Sequence, residues 1–494
     1  MIWPAAFRHD NLAPNQPSQL PATPIAALVL AAGKGTRMKS SRPKVLHQIA
    51  NRPMVAHVLA AVAQLKPLRT VVVVAPGMGD VEQAVAPAEI ALQTKQRGTG
   101  DAVAAAKKLL GGFKGDVLVI YGDAPLVTRD TLTILLNERR RHPDTALVVL
   151  GMRLNRGGPY GRLLLAPDGT LDRIVEAADA TEIERAITLC NSGVMLADAP
   201  TLFSLVSGLG NANAKGEYYL TDIVALARSH GLICRAAEGP SEELLGINSP
   251  GELAAAESHM QRRLRAQVMA AGVTLVSPDT VYLSADTRIG ADTVIGPFVV
   301  FGPVVKVGAG VTIPAFCHIA GATIGDRAVI GPFARLRPGA ALSEDVHIGN
   351  FVEVKNARLA KGVKANHLAY LGDATVGEGA NIGAGSITCN FDGIEKFRTT
   401  IGKNVFIGTN ASLVAPLTIG PGAMIAAGSV ITRSVPADAL ALGRGRQETK
   451  PGLARLWRAQ RKAVIAARNK PVKKTKSKTK SKPKKKAHSK KSGR

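Results

Sequence analysis

An α/β domain built on a mostly parallel, doubly wound sheet, followed by a parallel β-helix and a basic tail, is the fold class predicted for this chain of 494 residues. Three observations carry the prediction. Between residues 25 and about 248, short β-rich runs alternate with helical patterns, as in a parallel sheet with helices on both faces. From Ile289 an aliphatic residue, or Phe, usually followed by Gly, returns every six residues. From Lys470 to Arg494 there are thirteen Lys or Arg and no acid, in a low-complexity run with nothing apolar to bury.

The Pro-rich residues 1–24 read as a disordered extension. The first strand is IAALVLAA, residues 25–32, which could pass for the apolar part of a leader but runs directly into a Gly-rich loop. TVVVVAP, DVLVIYGD and TALVVLGM are further strands, and DAVAAAKKLL is an intervening helix. Ligands of such sheets bind beyond the carboxyl ends of the strands. The string LAAGKGTRMKSSRPK, residues 30–44, stands there, with Gly33 and Gly35 letting backbone N–H groups approach phosphate oxygens and Lys34, Arg37 and Lys44 supplying charge. It is neither a Walker loop nor GxGxxG. Asp123 follows another apolar strand, where a carboxylate can hold Mg2+ between phosphates. The string GINSPGE places Ser249, Pro250 and Glu252 as a capping box opening a helix, with Leu253, Met260, Leu264 and Val268 on one stripe linking two domains.

The six-residue beat runs IGADTV, IGPFVV, FGPVVK, VGAGVT, IPAFCH, slips by one residue near Ala322, and resumes. Each unit is one short strand and one turn, with the aliphatic residue inward and the small residue easing the corner. Three units close one triangular coil, stacking each inward residue on its counterpart eighteen positions on, about 4.8 Å along the axis. CNFDGIEKFRTT, residues 389–400, breaks the beat and marks an inserted functional loop.

Hydrophobic residues make up 46% of the chain, enough to bury a large core. Half of the net charge of +26 sits in the tail, so it does not by itself indicate a nucleic-acid reader, and no aromatic is interleaved with those lysines. The remaining excess suits a protein that handles several phosphates. Cys190, Cys234, Cys317 and Cys389 form no CxxC pair and read as reduced thiols. No apolar run reaches the roughly twenty residues that span a bilayer. A cytoplasmic protein is expected.

The ordered strings LAAGKGTRM, PKVLH, QRGTGDAV, YGDAPL, EYYLTDI, RLRPGA, GNFVEVKNA, NHLAYLGDA and NIGAGSITCNFDG resemble the bacterial bifunctional UDP-N-acetylglucosamine pyrophosphorylases/glucosamine-1-phosphate N-acetyltransferases over residues 25–450. The resemblance implies a Rossmann-like uridylyltransferase domain (25–248), a linker helix (249–271), a left-handed β-helix acetyltransferase domain (272–450), a basic helix (451–469) and the disordered tail (470–494). It implies transfer of acetyl from acetyl-CoA to glucosamine-1-phosphate, then of UMP from UTP to the product, with Mg2+, in a homotrimer. In the uridylyltransferase site Leu30, Ala32, Gly33, Lys34, Arg37 and Lys44 would surround the UTP phosphates, and Gln93, Gly98 and Thr99 the uracil. Gly161, Glu176 and Asn191 would hold the sugar phosphate, and Asp123 with Asn248 the metal.

In the acetyltransferase site the resemblance makes His367 the base. Arg337, Lys355 and Lys396 would bind the phosphate, and Tyr370 and Asn381 the sugar. Asn390, Phe391, Thr409, Ala427 and Arg444 would meet acetyl-CoA. Phe391 departs from a usual Tyr, Thr409 from a usual Ser, and Asn51 from a usual Gly, a change that Asn tolerates because it enters left-handed backbone. The competing reading is a single-activity nucleotidyltransferase with a structural β-helix. The basic segment GLARLWRAQRKAVIAARNK is an amphipathic helix expected to dock on a neighbouring subunit, with anionic lipid as the second possibility.

Overall fold

The computed structural model describes residues 23–33 and 35–468. Lys34, the extension up to residue 22 and the tail from residue 469 lie outside the described residues. Contacts gather residues up to Gly443 into one compact unit and those from Arg444 into another.

The first unit begins with a twisted sheet whose strands are β1 (Ile25–Leu30), β2 (Arg69–Val74), β3 (Glu89–Leu92), β4 (Asp116–Tyr121), β5 (Thr145–Arg153), the hairpin β6 (Arg162–Leu165) and β7 (Leu171–Val175), β8 (Leu189–Asp198) and β9 (Ile233–Gly239). The strand order is β9-β5-β8-β4-β1-β2-β3, with β6 beside β8. β8 runs antiparallel to β4 and β5, and the other neighbours on that path are parallel. Val71 and Val73 face one apolar layer and Val72 and Val74 the other, because alternate residues of a strand point to opposite faces. Valine-rich strands buried on both sides require helices on both faces. The expected helix DAVAAAKKLL forms as two short helices meeting at Ala106.

The linker helix α1 (Pro250–Ala270) starts where its Ser249 cap accepts from the Glu252 N–H, at 3.3 Å. Its capping box differs from the expected one, since the Glu252 carboxylate reaches back past Ser249 to the Asn248 N–H, at 2.6 Å. Met260 is buried with Ile49 and Ile247 of the first domain, while Val268 packs on the core of the β-helix. The one stripe thus has a different neighbour at each end. Asn51 adopts the left-handed conformation (φ 60°), and its amide donates to Ser284 Oγ at 2.7 Å.

The β-helix has three parallel sheets forming the sides of a prism. Ile289 pairs with Val307, eighteen residues on, and Val307 with Ile324, seventeen on, which accommodates the slip near Ala322. Inward columns such as Ile295, Ile313, Ile330 and Ile348 are fully buried. One expectation needs correcting. The glycine after the inward residue does not ease the corner, because the left-handed residue at the turn lies two positions later, as at Asp292 (φ 61°) after Gly290. Gly290 is needed because a Cβ there would stand 2.7 Å from the backbone of Gly308 in the next coil. At one corner the left-handed residues are Phe298, Phe316, Phe333 and Phe351, with ring centroids 5.1, 4.9 and 5.2 Å apart. Left-handed backbone costs each of these four residues about 1–2 kcal/mol, and ring stacking of about 0.5–1.5 kcal/mol in each of the three pairs offsets about half of it.

The second unit contains α2 (Leu453–Arg468), all of whose residues are exposed. Among the described residues no helix is long and apolar enough to cross a membrane.

Candidate active sites

The first site is a cavity of about 520 Å³ at the carboxyl ends of β1, β3 and β4, lined by Leu30, Ala32, Gly33, Lys44, Gln93, Gly98, Thr99, Asp123 and Asn248 among others. Glu217, Tyr121 and Gln96 also line it and were not anticipated. Gly35 is left-handed, and a Cβ there would stand 2.5 Å from the Lys44 Cβ, so glycine allows the loop to fold against that lysine. Gly98 has φ 118°, and a Cβ there would meet the Tyr218 carbonyl oxygen at 2.5 Å. The Gln93 amide nitrogen donates to Gly98 O at 3.1 Å and to Asp101 at 3.0 Å, holding the turn that leads to Thr99. Gln96 tethers the phosphate loop through Ala32 O.

Lys44 Nζ contacts Asp123 Oδ2 and donates to Asn248 Oδ1 at 3.0 Å. A carboxylate oxygen and an amide oxygen therefore already converge on one cation, which is the donor set a hard divalent ion takes when water and phosphate fill its remaining positions. Arg37 is exposed on a short 3-10 turn. Gly161, Asn191 and Glu176 gather on the antiparallel side: the Asn191 N–H donates to Gly161 O at 2.8 Å, and Thr221 donates to Glu176 Oε1 at 3.0 Å. Burial pushes the Glu176 carboxyl up. Burial, with Glu176 and Asp123 nearby, also pushes the Tyr121 hydroxyl up and keeps it neutral. Tyr121 thus lies between the two halves of the site, packed on Gly193, where a Cβ would stand 2.0 Å from its ring.

The second site is on the prism. His367 ends the strand Lys364–His367 and is exposed, with Nδ1 2.8 Å from Asn350 Oδ1. An amide oxygen can only accept, so Nδ1 carries a proton, and in the neutral ring Nε2 is the nitrogen with the lone pair. Above His367, backbone bonds Gly385 N–H to His367 O (3.3 Å), Asn410 N–H to Ala384 O (2.7 Å) and Gly428 N–H to Thr409 O (2.7 Å) build one corner column that aligns Thr409 and Ala427 with it. Asn381 lies on the neighbouring strand, paired with Lys364.

At the other end of the strand Tyr370–Gly372 is a cationic cluster. Arg337 is paired with Glu353 at 2.7 Å, and Lys355 is in register with Gly372. The neighbouring Lys396 ammonium, then Arg337, depress the Lys355 ammonium. Tyr370 folds over Gly372, where a Cβ would meet its hydroxyl at 2.3 Å. Asp373 underpins the cluster by accepting from the amides of Asn356 and Asn390. Burial opposes its ionisation, but those two amides, with Lys355 and Lys396, outweigh it and hold the carboxyl low. Phe391 is exposed, bridged to Lys396 in the loop that interrupts the beat. Arg444 is exposed in the second unit. Asn350 and Asp373 were missed as site residues although both lie in strings already singled out, GNFVEVKNA and NHLAYLGDA.

A pocket lined by a glycine-rich loop, a lysine and a carboxylate on a doubly wound sheet, joined to a hexapeptide prism with a polarised histidine, defines a nucleotidyltransferase fused to an acyltransferase. Residues 27–192 match the MobA-like NTP transferase domain, and residues 286–321 and 398–433 match the bacterial transferase hexapeptide (six repeats). The chain is 54% identical over 445 residues to the Bifunctional protein GlmU of Paramagnetospirillum magneticum, covering 90% of this chain and 99% of that one. It is 55% identical over 447 residues to that of Cereibacter sphaeroides (89% and 98%), and 56% over 437 residues to that of Rhodospirillum rubrum (88% and 98%). The chain belongs to the GlmU family of bifunctional N-acetylglucosamine-1-phosphate uridylyltransferases and glucosamine-1-phosphate N-acetyltransferases.

Proposed function

We propose that the prism acetylates glucosamine-1-phosphate from acetyl-CoA with His367 as base, and that the sheet domain then uridylylates the product from UTP. The observation that carries this reading is the His367–Asn350 hydrogen bond, which a purely structural prism does not need. Nε2 removes the proton from the attacking sugar nitrogen as it adds to the thioester carbonyl, and collapse of the tetrahedral intermediate expels CoA. Arg337, Lys355 and Lys396 hold the sugar phosphate, Tyr370 and Asn381 the sugar, and Asn390, Phe391, Thr409, Ala427 and Arg444 the acetyl-CoA. His367 ends the strand Lys364–His367, and the cationic cluster lies past the far end of the next strand, Tyr370–Gly372, so the two stand at opposite corners of one side of the prism. That separation favours a homotrimer in which neighbouring prisms complete each site.

In the sheet domain, an oxygen of the N-acetylglucosamine-1-phosphate attacks the α-phosphorus of UTP in line, and pyrophosphate leaves. No protein nucleophile is required, so alignment and charge carry the rate. Lys44, Arg37, Lys34 and the backbone from Leu30 to Gly33 hold the triphosphate; Gln93, Gly98 and Thr99 contact the uracil; Gly161, Glu176 and Asn191 receive the acceptor. Asp123 and Asn248 would hold Mg2+, which when bound offsets charge on the leaving pyrophosphate. A cytoplasmic location belongs to the same reading.

Mass spectrometry of products from glucosamine-1-phosphate, acetyl-CoA, UTP and Mg2+ tests the reading. Wild type is expected to form UDP-N-acetylglucosamine, and H367Q only when given N-acetylglucosamine-1-phosphate. Product from H367Q without that supplement would sink the role of His367. A single-activity wild type would sink the acetyltransferase reading of the prism.

A further inference from the structure

α2 and the tail take no part in either reaction as derived above, yet their chemistry is specific. At 100° per residue, Leu453, Leu456, Trp457 and Val464 fall within an arc of about 100°, interrupted by Gln460, and Arg455, Arg458, Arg461, Lys462 and Arg468 occupy the adjoining arc of about 140°, with the apolar Ile465 among them. The apolar side chains are 44–62% exposed. From residue 451 to the end there are 18 Lys or Arg and no acid. The rest of the chain then has 63 − 18 = 45 basic against 37 acidic residues, a net +8.

We propose that α2 is a peripheral anchor for an anionic lipid bilayer, lying in the interface, with the charge of the lysine-rich sequence that follows it adding to the attraction. Three candidate occupants differ in what they satisfy. RNA would neutralise the cations and leave Leu453, Leu456, Trp457 and Val464 in water. A second copy would bring its own net positive body against 18 cations. An anionic bilayer takes both features at once: the apolar stripe enters the acyl boundary while Arg and Lys meet the phosphates. Moderate hydrophobicity, a cationic face and a tryptophan on the apolar face distinguish a helix that lies on a membrane from one that spans it.

Trp3 and Trp457 are the two tryptophans, so a W3F full-length protein reports on α2 alone. Adding vesicles of phosphatidylcholine with phosphatidylglycerol is expected to shift Trp457 emission to shorter wavelength and to float the protein with the vesicles. Pure phosphatidylcholine should do neither. L453E/L456E should weaken flotation by about a hundredfold, since two buried leucines are lost, while both transferase activities persist. Deleting residues 470–494 should weaken flotation and keep part of the emission shift. Retention on RNA that is insensitive to L453E/L456E, without a vesicle-induced shift, would overturn the proposal in favour of nucleic acid. Short-wavelength emission before vesicles are added, lost on dilution, would overturn it in favour of subunit docking.

Discussion

Lys44 Nζ and Asp123 Oδ2 touch across the mouth of the nucleotide cavity, and the same ammonium donates to Asn248 Oδ1 at 3.0 Å. Both partners of the ion pair are largely buried, with side chains 13% and 14% exposed, so solvent screens the contact little. A cation already stands between the two oxygens assigned to the metal. Lys44 must leave them when a divalent ion and the UTP phosphates arrive, and it then has phosphate to bind.

K44Q should therefore bind free Mn2+ about tenfold more tightly than wild type in the absence of nucleotide, equivalent to ~1.4 kcal/mol, although its uridylyl transfer is slower. Titration followed by the Mn2+ electron paramagnetic resonance signal measures the affinity directly. Unchanged affinity would mean that Lys44 serves phosphate alone, and weaker affinity that it supports the loop.

Asn350 acts on the acetyl transfer only through His367, whose Nδ1 proton it holds. N350A should lower acetyltransferase kcat by about tenfold, with little change in KM for glucosamine-1-phosphate and none in uridylyl transfer, as expected for an outer partner that fixes a tautomer. An equal loss in N350D, which keeps the acceptor, would contradict a positioning role.

Asp373 accepts two amide hydrogen bonds beneath Lys355 and Lys396. D373N sets its NH2 against one of the two amide donors and removes the compensating charge, so the loop of residues 389–400 loses its anchor at a cost of about 1–3 kcal/mol. The folded-state carboxyl is held below its ordinary value, so its contribution is complete above the unfolded value of about 4 and disappears as pH falls through the folded one. The difference in melting temperature between wild type and D373N should be largest near neutrality and shrink in acid. A difference that is flat with pH would show that the charge is not what stabilises the loop.

Ile289, Ile295 and Phe301 announce the prism because a fixed side-chain period needs no tertiary knowledge: each inward residue meets another apolar residue one coil on, Val307, Ile313 and Ile319 in turn. The sheet was legible for a similar reason, since TVVVV can only be buried on both faces. Contacts that depend on folding at long range were not legible. Nothing local in LQTKQRGTG marks Gln93 as the prop of Gly98, and nothing in YGDAP says that Lys44, 79 residues earlier, would sit on Asp123. Asn350 and His367 lie seventeen residues apart, which is one coil, so their pairing could have been read from the beat itself.

Gly349 is the strictest test of that beat. Its φ is not left-handed, yet a Cβ there would stand 1.9 Å from the Asn366 carbonyl oxygen, a backbone atom that cannot swing aside. The flanking pairs are Ile348 with Ala365 and Asn350 with His367, so the strand that must move carries the proposed base. A displacement of about 1 Å at a reacting group costs on the order of a hundredfold in rate. G349A should lose acetyl transfer to that extent and keep uridylyl transfer from N-acetylglucosamine-1-phosphate within about twofold. G251A, in α1 with nothing within 4 Å of the added Cβ, should spare both reactions. If G349A acetylates normally, the coils can separate without cost and His367 does not owe its position to the stacking beneath it.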